Sequence, residues 1–277
     1  MESSFEIYTS ITDGYYQLPP TKHRSICYHD GTVDPQDGWE LRLIDYYHED
    51  PVRLSRYSKI LCPISGPSAY IDASKLHTVN DKFIEVSEKV LSNHDFFLMQ
   101  HPHKYFYLEE CAEHIHRGLV DSETIIDFTS KVSNSDYNFA NFFSPLGTVI
   151  WRNGPSSIDS LWWEWYMQGG KRDQLSLAVA LQLADVPYGW AESREFINRW
   201  SDSNPIDGAW WKNKGGRYAR EKVDPTPYID QLCAITGLSK RVRYRASILR
   251  ETGEWLFGDI SKYFKRNDPA LIKLSGL

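Results

Sequence analysis

The hydrophobic pattern opens with a strand. Phe5-Glu-Ile-Tyr-Thr-Ser-Ile11 alternates, is rich in β-formers and stops at Asp13-Gly14. Ser25-Ile-Cys-Tyr28 and Trp39-Glu-Leu-Arg-Leu-Ile44 predict two more short strands, and Ser68-Ala-Tyr-Ile-Asp72 another that ends on an acid. The period changes after Asp81, where Phe83, Val86, Val90 and Leu91 fall at helical spacing. Phe96-Phe-Leu-Met99 and Gly147-Thr-Val-Ile-Trp-Arg152 are apolar runs of strand length, with helices predicted between them at about 105–117, closed by Gly118, and at 122–132. Ile158 to Met167 reads as a helix. Asp173 stands where an N-cap belongs, before the helical run Gln174 to Leu183. Alternation of strands and helices over 1–190 predicts an α/β fold, a mostly parallel sheet flanked by helices. Residues 201–227 carry six Gly or Pro and read as a loop or linker, followed by helical stretches at about 228–237 and 241–257.

Charge divides the chain in a way the total conceals. The net charge is −6, yet residues 212–266 hold 13 Lys+Arg against 6 Asp+Glu, or +7, which leaves −13 for the remainder. A small basic helical extension at 201–277, set on an acidic domain at 1–200, points to a polyanionic partner; a basic face that pairs with the acidic body is the plainer alternative. Aromatic residues reach 14%, including 10 Trp and 17 Tyr, enough to supply stacking surfaces as well as a core. No apolar run approaches the ~18 residues that span a bilayer, and Met1-Glu-Ser-Ser-Phe5 is not a signal peptide, so a cytoplasmic protein without integral membrane association is expected. Cys27, Cys62, Cys111 and Cys233 lie far apart, which suits a reducing compartment.

The motifs exclude several chemistries. There is no P-loop, no dinucleotide-binding glycine pattern after the first strand and no G-x-S-x-G elbow. His101-Pro-His103 and His114-Ile-His116 could be read as metal ligands, but His114 and His116, two apart on a helix, face different ways, which argues against a zinc site.

Several blocks occur in an order that resembles a known family. They are Ile7-Tyr-Thr-Ser-Ile-Thr-Asp-Gly-Tyr15, Gly38-Trp-Glu40, Arg56-Tyr-Ser-Lys-Ile-Leu-Cys-Pro63, Tyr70-Ile-Asp-Ala-Ser74, Gln100-His-Pro102 with Tyr107-Leu-Glu-Glu110, and Trp162-Trp-Glu164 followed by Arg172-Asp-Gln-Leu-Ser176. Together they resemble the DUF616 glycosyltransferase-like family over about residues 5–185. The resemblance implies a GT-A-like domain that binds a nucleotide-sugar, a UDP-sugar foremost, and transfers its sugar to an acceptor hydroxyl. Asp72-Ala73-Ser74 stands where such enzymes carry Asp-x-Asp, so Asp72 is the candidate ligand for Mn²⁺ or Mg²⁺, though a single carboxylate is a poor cage. The alternative for Asp72 is a strand-end turn residue.

By the same resemblance Arg56 and Lys59 hold the pyrophosphate, unless they are a solvated surface pair, and Tyr8, Thr9, Ser10 and Ile11 lie where the nucleobase binds. Asp173 and Gln174, with Arg172 beside them, are expected at the donor sugar, the arrangement of a retaining enzyme; an inverting one would need a carboxylate as general base. Asp72 and Asp173 both sit at element ends, where function rather than packing selects a carboxylate, so replacing either is expected to spare the fold. His101 is a further donor candidate. Glu109 and Glu110 form another pair, unless they are a solvated helix face.

The acceptor is read from the basic segment. Lys240, Arg241, Arg243 and Arg245 lie among interleaved aromatics that include Trp210 and Trp211, and such a surface suits phosphate contacts and base stacking. A hydroxymethylated base in DNA, as in bacteriophage DNA modification, is the acceptor expected. A surface polysaccharide or other glycan is the alternative, and a non-catalytic nucleotide-sugar or nucleic-acid binder is the alternative from another class.

Overall fold

A computed structural model describes residues 5–101, 106–169, 172–201 and 223–238. In chain order the elements are β1 (Glu6–Ile11), β2 (Ser25–His29), β3 (Trp39–Leu43), α1 (Pro51–Ile60), β4 (Pro67–Ile71), α2 (Asp81–Leu91) and β5 (Phe96–Gln100). There follow α3 (Tyr107–His116), α4 (Ser122–Ser133), β6 (Pro145–Asn153), α5 (Ser157–Gln168), α6 (Asp173–Leu183), β7 (Gly189–Glu192), α7 (Ser193–Ile197) and α8 (Thr226–Thr236). The described residues form two compact units. One runs to Gln100 and resumes at Pro145 through Ser201; the other holds His101–Ser144 and 223–238, with α3, α4 and α8.

The first unit is an α/β layer structure built on a seven-stranded sheet of order β3-β2-β1-β4-β6-β5-β7. Neighbours are parallel except where β6 pairs antiparallel with β4 and β5. The chain steps outward from β1 to β2 to β3, then crosses back through α1 to place β4 on the other side of β1. The strand order thus reverses at β1 and β4, and open α/β sheets bind ligands at the carboxyl ends of the strands beside such a reversal.

Each predicted strand of this sheet forms, and all but the edge strand β3 and its exposed Leu43 bury their apolar residues by packing. Ile7, Ile26, Ala69, Ile71, Leu98 and Ile150 are at most 1% exposed. Helix α2 starts at Asn80, whose side chain accepts from Phe83 N at 2.9 Å, and it turns Phe83 and Val90 inward. Phe83 meets Trp151 of β6 and Trp200, and Trp151 donates to Ser87 Oγ at 2.8 Å. Three elements lacked a predicted period: α1, which buries Ser55, Ser58 and Lys59 along with Ile60, the four-residue β7 and the five-residue α7.

In the second unit α3 is buried nearly all round. Glu109 is 3% exposed and Glu110 is fully buried, so this pair is not a solvated helix face. Glu110 Oε1 lies 2.8 Å from His114 Nε2, one turn along. No helix among the described residues is long and apolar enough to cross a membrane.

Candidate functional site

Helix α1 brings the first two charges. Asp50 caps it by accepting from Val52 N at 3.0 Å, Pro51 stands at its first position, and Arg56 and Lys59 fall one turn apart on one side. Lys59 is 2% exposed, so it is no solvated surface residue. Its backbone is held from below by Arg152 of β6, whose Nη1 donates to Lys59 O at 3.0 Å and whose Nη2 donates to Ile60 O at 3.4 Å. A cation at the carbonyl end of a helix is favourable, and here it also fixes the end of the turn that carries Lys59.

Arg152 itself is fully buried. Its Nε pairs with Asp159 of α5 at 2.9 Å and its Nη1 donates to Tyr8 OH at 2.6 Å. Tyr8 thus belongs to the framework beneath the site. Thr9, Ser10 and Ile11 are likewise buried along β1.

The two carboxylates arrive from β4 and α6. Asp72 follows β4 directly, with its backbone N–H donating to Thr148 O at 2.8 Å. That contact continues the antiparallel register of β4 and β6, in which Ile71 faces Val149; on its other side β6 slips against β5 between Leu98 and Met99, a bulge that spans 147–149. Asp72 Oδ1 accepts from Tyr70 OH at 2.9 Å and lies 3.3 Å from Lys59 Nζ. Burial, and then the charge of Asp72, hold the Tyr70 hydroxyl well above its ordinary pKa, so it stays a donor. Asp173 Oδ2 lies 2.6 Å from Lys59 Nζ and 3.1 Å from Arg56 Nε. Burial works against the Asp173 charge, but Arg56, Lys59 and Arg172 outweigh it and hold the carboxyl well below the usual carboxylate range.

Asp173 is therefore not the N-cap expected of it. Arg172 occupies that position, no side chain caps the helix, and Asp173 is the first helical residue, turned toward Lys59 and Arg56. Two buried cations compete for the carboxylate better than backbone N–H groups do. The end of α6 is instead tied down by Trp162 of α5, whose Nε1 donates to Asp173 O at 3.0 Å and to Ser176 Oγ at 3.2 Å.

The ion-paired centre of the site is thus Arg56, Lys59, Asp72 and Asp173, with a formal charge of zero. Asp72 is its most open member, its side chain 25% exposed, and Arg56 follows at 17%. Lys59 Nζ bridges the two carboxylates. The backbone of Gly147 makes room for it: a Cβ there would stand 3.4 Å from Lys59 Nζ and 4.0 Å from Asp173 Oδ2. Beside Arg56 on α1, Tyr57 stacks on Tyr46 at 4.6 Å, and Trp163 meets both rings edge-on at 5.5 Å. These three half-buried rings offer a stacking surface next to the charges.

A divalent metal fits this donor set poorly. Asp72 Oδ1 already takes Tyr70 OH and the ammonium, and Asp173 is enclosed by two cations. No group of three His, Cys, Asp or Glu suited to a metal occurs among the described residues. A divalent cation ~4 Å from the Lys59 ammonium would be repelled by about 8 kcal/mol at an effective dielectric of ~20.

The remaining candidates are dispersed. Ala73 and Ser74 begin a 3-10 turn (Ala73–Thr78) next to Asp72. Gln174 follows Asp173 on α6, half-buried, with its Oε1 3.5 Å from Arg172 Nη2. His101 belongs to the second unit, where its N–H donates to Ser144 O at 2.8 Å. Trp210, Trp211, Lys240, Arg241, Arg243 and Arg245 lie outside the described residues. Sequence reasoning missed Tyr70, Gly147 and Arg152 as members of the site or its support. Arg152 had a signal: an arginine inside the apolar run Thr-Val-Ile-Trp-Arg must find a partner once that strand is buried. A scan against protein-family models finds no match for this chain, and a search of curated proteins finds none either.

Proposed function

We propose that this chain is a nucleotide-sugar-dependent glycosyltransferase of GT-A type. The observation that carries the reading is the meeting of Asp72, Arg56, Lys59 and Asp173 at the carboxyl side of β4, at the reversal of strand order beside β1. These are the residues that the resemblance to the DUF616 family singles out, and they come from three separate segments of the chain. The mostly parallel sheet with one reversed strand is compatible with that architecture.

In the reaction, the bond from the anomeric carbon of the donor to its β-phosphate oxygen breaks. The acceptor hydroxyl oxygen bonds to that carbon and passes its proton to the departing β-phosphate oxygen, while negative charge collects on the diphosphate. Arg56, the more open of the two cations, meets that charge, and Lys59 adds a fixed positive charge behind it. Asp72 is open enough to accept from a donor hydroxyl. Asp173 serves as a positioning residue: its carboxylate, 6% exposed and engaged by Lys59 and Arg56, orients the two cations, which speaks against a general-base role.

For the acceptor we propose a hydroxymethylated base in DNA, supported by the +7 charge of residues 212–266 and their interleaved aromatics. The test of the core reading is a panel of nucleotide-sugars assayed for thermal stabilisation and for slow donor hydrolysis without acceptor. One donor raising the melting temperature and being cleaved, with cleavage lost in Asp72→Asn, is the expected result. Stabilisation without cleavage would make the protein a binder, and no effect from any donor would remove the reading.

A further inference from the structure

We infer that Lys59 is a built-in substitute for a metal ion, so that this site takes a nucleoside diphosphate without a divalent cation. The inference rests on the glycosyltransferase reading and specifies its cofactor requirement. Lys59 Nζ sits 2.6 Å from Asp173 Oδ2 and 3.3 Å from Asp72 Oδ1, bridging two carboxylates as a bound cation would. In each carboxylate the oxygen that faces the ammonium has a second partner. Asp72 Oδ1 also accepts from Tyr70 OH at 2.9 Å, and Asp173 Oδ2 also lies 3.1 Å from Arg56 Nε.

Three features keep the ammonium in place. Its side chain is 2% exposed, its carbonyl is held by Arg152 at 3.0 Å, and it lies over the Tyr70 ring, 5.1 Å from the centroid. A lysine retained by chance at a metal site would be able to swing into solvent. This one is walled in.

The arrangement also explains why one carboxylate suffices after β4. Where an Asp-x-Asp pair would gather two charges around a divalent ion, Asp72-Ala73-Ser74 gathers one, and the second comes from α6 to balance a lysine. A univalent ammonium between two carboxylates, with Arg56 alongside, leaves the centre neutral until the diphosphate arrives.

The experiment is calorimetric titration of the full chain with UDP, GDP, ADP, dTDP and inorganic pyrophosphate. Each is run in EDTA and again with excess Mg²⁺ or Mn²⁺. At least one nucleoside diphosphate is expected to bind in EDTA with an affinity within about twofold of that measured with metal. Binding that appears only with metal overturns the inference and leaves the glycosyltransferase reading standing. Binding under neither condition overturns both.

Lys59→Gln supplies a second arm, after circular dichroism has established that it folds. Losing the ammonium is expected to weaken diphosphate binding in EDTA by about tenfold or more, and Mn²⁺ then restores part of it because two carboxylates are freed. A folded Lys59→Gln protein that binds as tightly as wild type in EDTA would overturn the assignment. If the variant does not fold, the wild-type comparison decides alone.

Discussion

Asp173→Asn tests the electrostatic core of the site most directly. The substitution keeps shape and removes one charge from a carboxyl whose side chain is 6% exposed and which lies within 3.1 Å of two cations. Removing one partner of a buried pair costs about 3–5 kcal/mol, because the other charge is left uncompensated. Here the cost falls at the low end. Lys59 keeps Asp72 at 3.3 Å, and Arg56, 17% exposed, reaches water. The expected loss is therefore ~3 kcal/mol at pH 7. Its pH dependence has a definite sign. The folded pKa of Asp173 lies well below its unfolded value, so its contribution is fully present above the unfolded pKa of about 4 and is lost as pH falls toward the folded value. The stability difference between wild type and variant should be constant from neutrality down to about pH 5 and should shrink in stronger acid. Urea unfolding followed by circular dichroism at several pH values measures it. A loss under about 1 kcal/mol at pH 7, or a difference that does not shrink in acid, would refute the reasoning. It would return Asp173 to the role expected from sequence, a carboxylate that can be replaced without harm to the fold.

Three further outcomes are expected. Arg152→Met should destabilise by about 3–5 kcal/mol, since it strands Asp159 and the carbonyls of Lys59 and Ile60; adding Asp159→Asn should recover part of the loss in the same unfolding measurement. Gly147→Ala should leave stability within about 1 kcal/mol of wild type, because the methyl stands 3.4 Å from Lys59 Nζ, an ordinary contact, yet by crowding the ammonium it should weaken UDP binding by calorimetry; unchanged affinity would separate the Lys59 position from diphosphate binding. Replacing Arg241, Arg243 and Arg245 with Ala should reduce duplex DNA binding and flatten its salt dependence between about 50 and 200 mM; a wild-type protein that does not bind DNA at low salt would leave the glycan acceptor.

How much was legible in the chain depended on what each segment buries. β1, β4, β5 and β6 are apolar on the faces they bury, so alternation or an unbroken apolar run announced them. Helix α2 announced itself through Phe83 and Val90 at helical spacing. Helix α1 did not, because much of what it buries is polar: Ser55, Ser58 and Lys59, the last enclosed in the charge cluster, and a hydrophobicity pattern registers only what is apolar. Asp173 was misplaced for a related reason. An Asp before a helical run looks like a cap in one dimension, and only the arrival of α1 shows that two cations claim it.

By itself, then, the amino-acid order determined the α/β class, most of the strands and helices, and the identities of Arg56, Lys59, Asp72 and Asp173 as residues of interest. All of these follow from local periodicity or from short blocks. The tertiary structure decided that the chain reverses its direction across the sheet between β3 and β4, that β6 runs antiparallel with a bulge, and that Lys59 sits between the two carboxylates. Such facts join residues as far apart as Lys59 and Asp173. Pairing at that separation is set by which buried charges must be neutralised once the layers close, a condition that no local window of sequence contains.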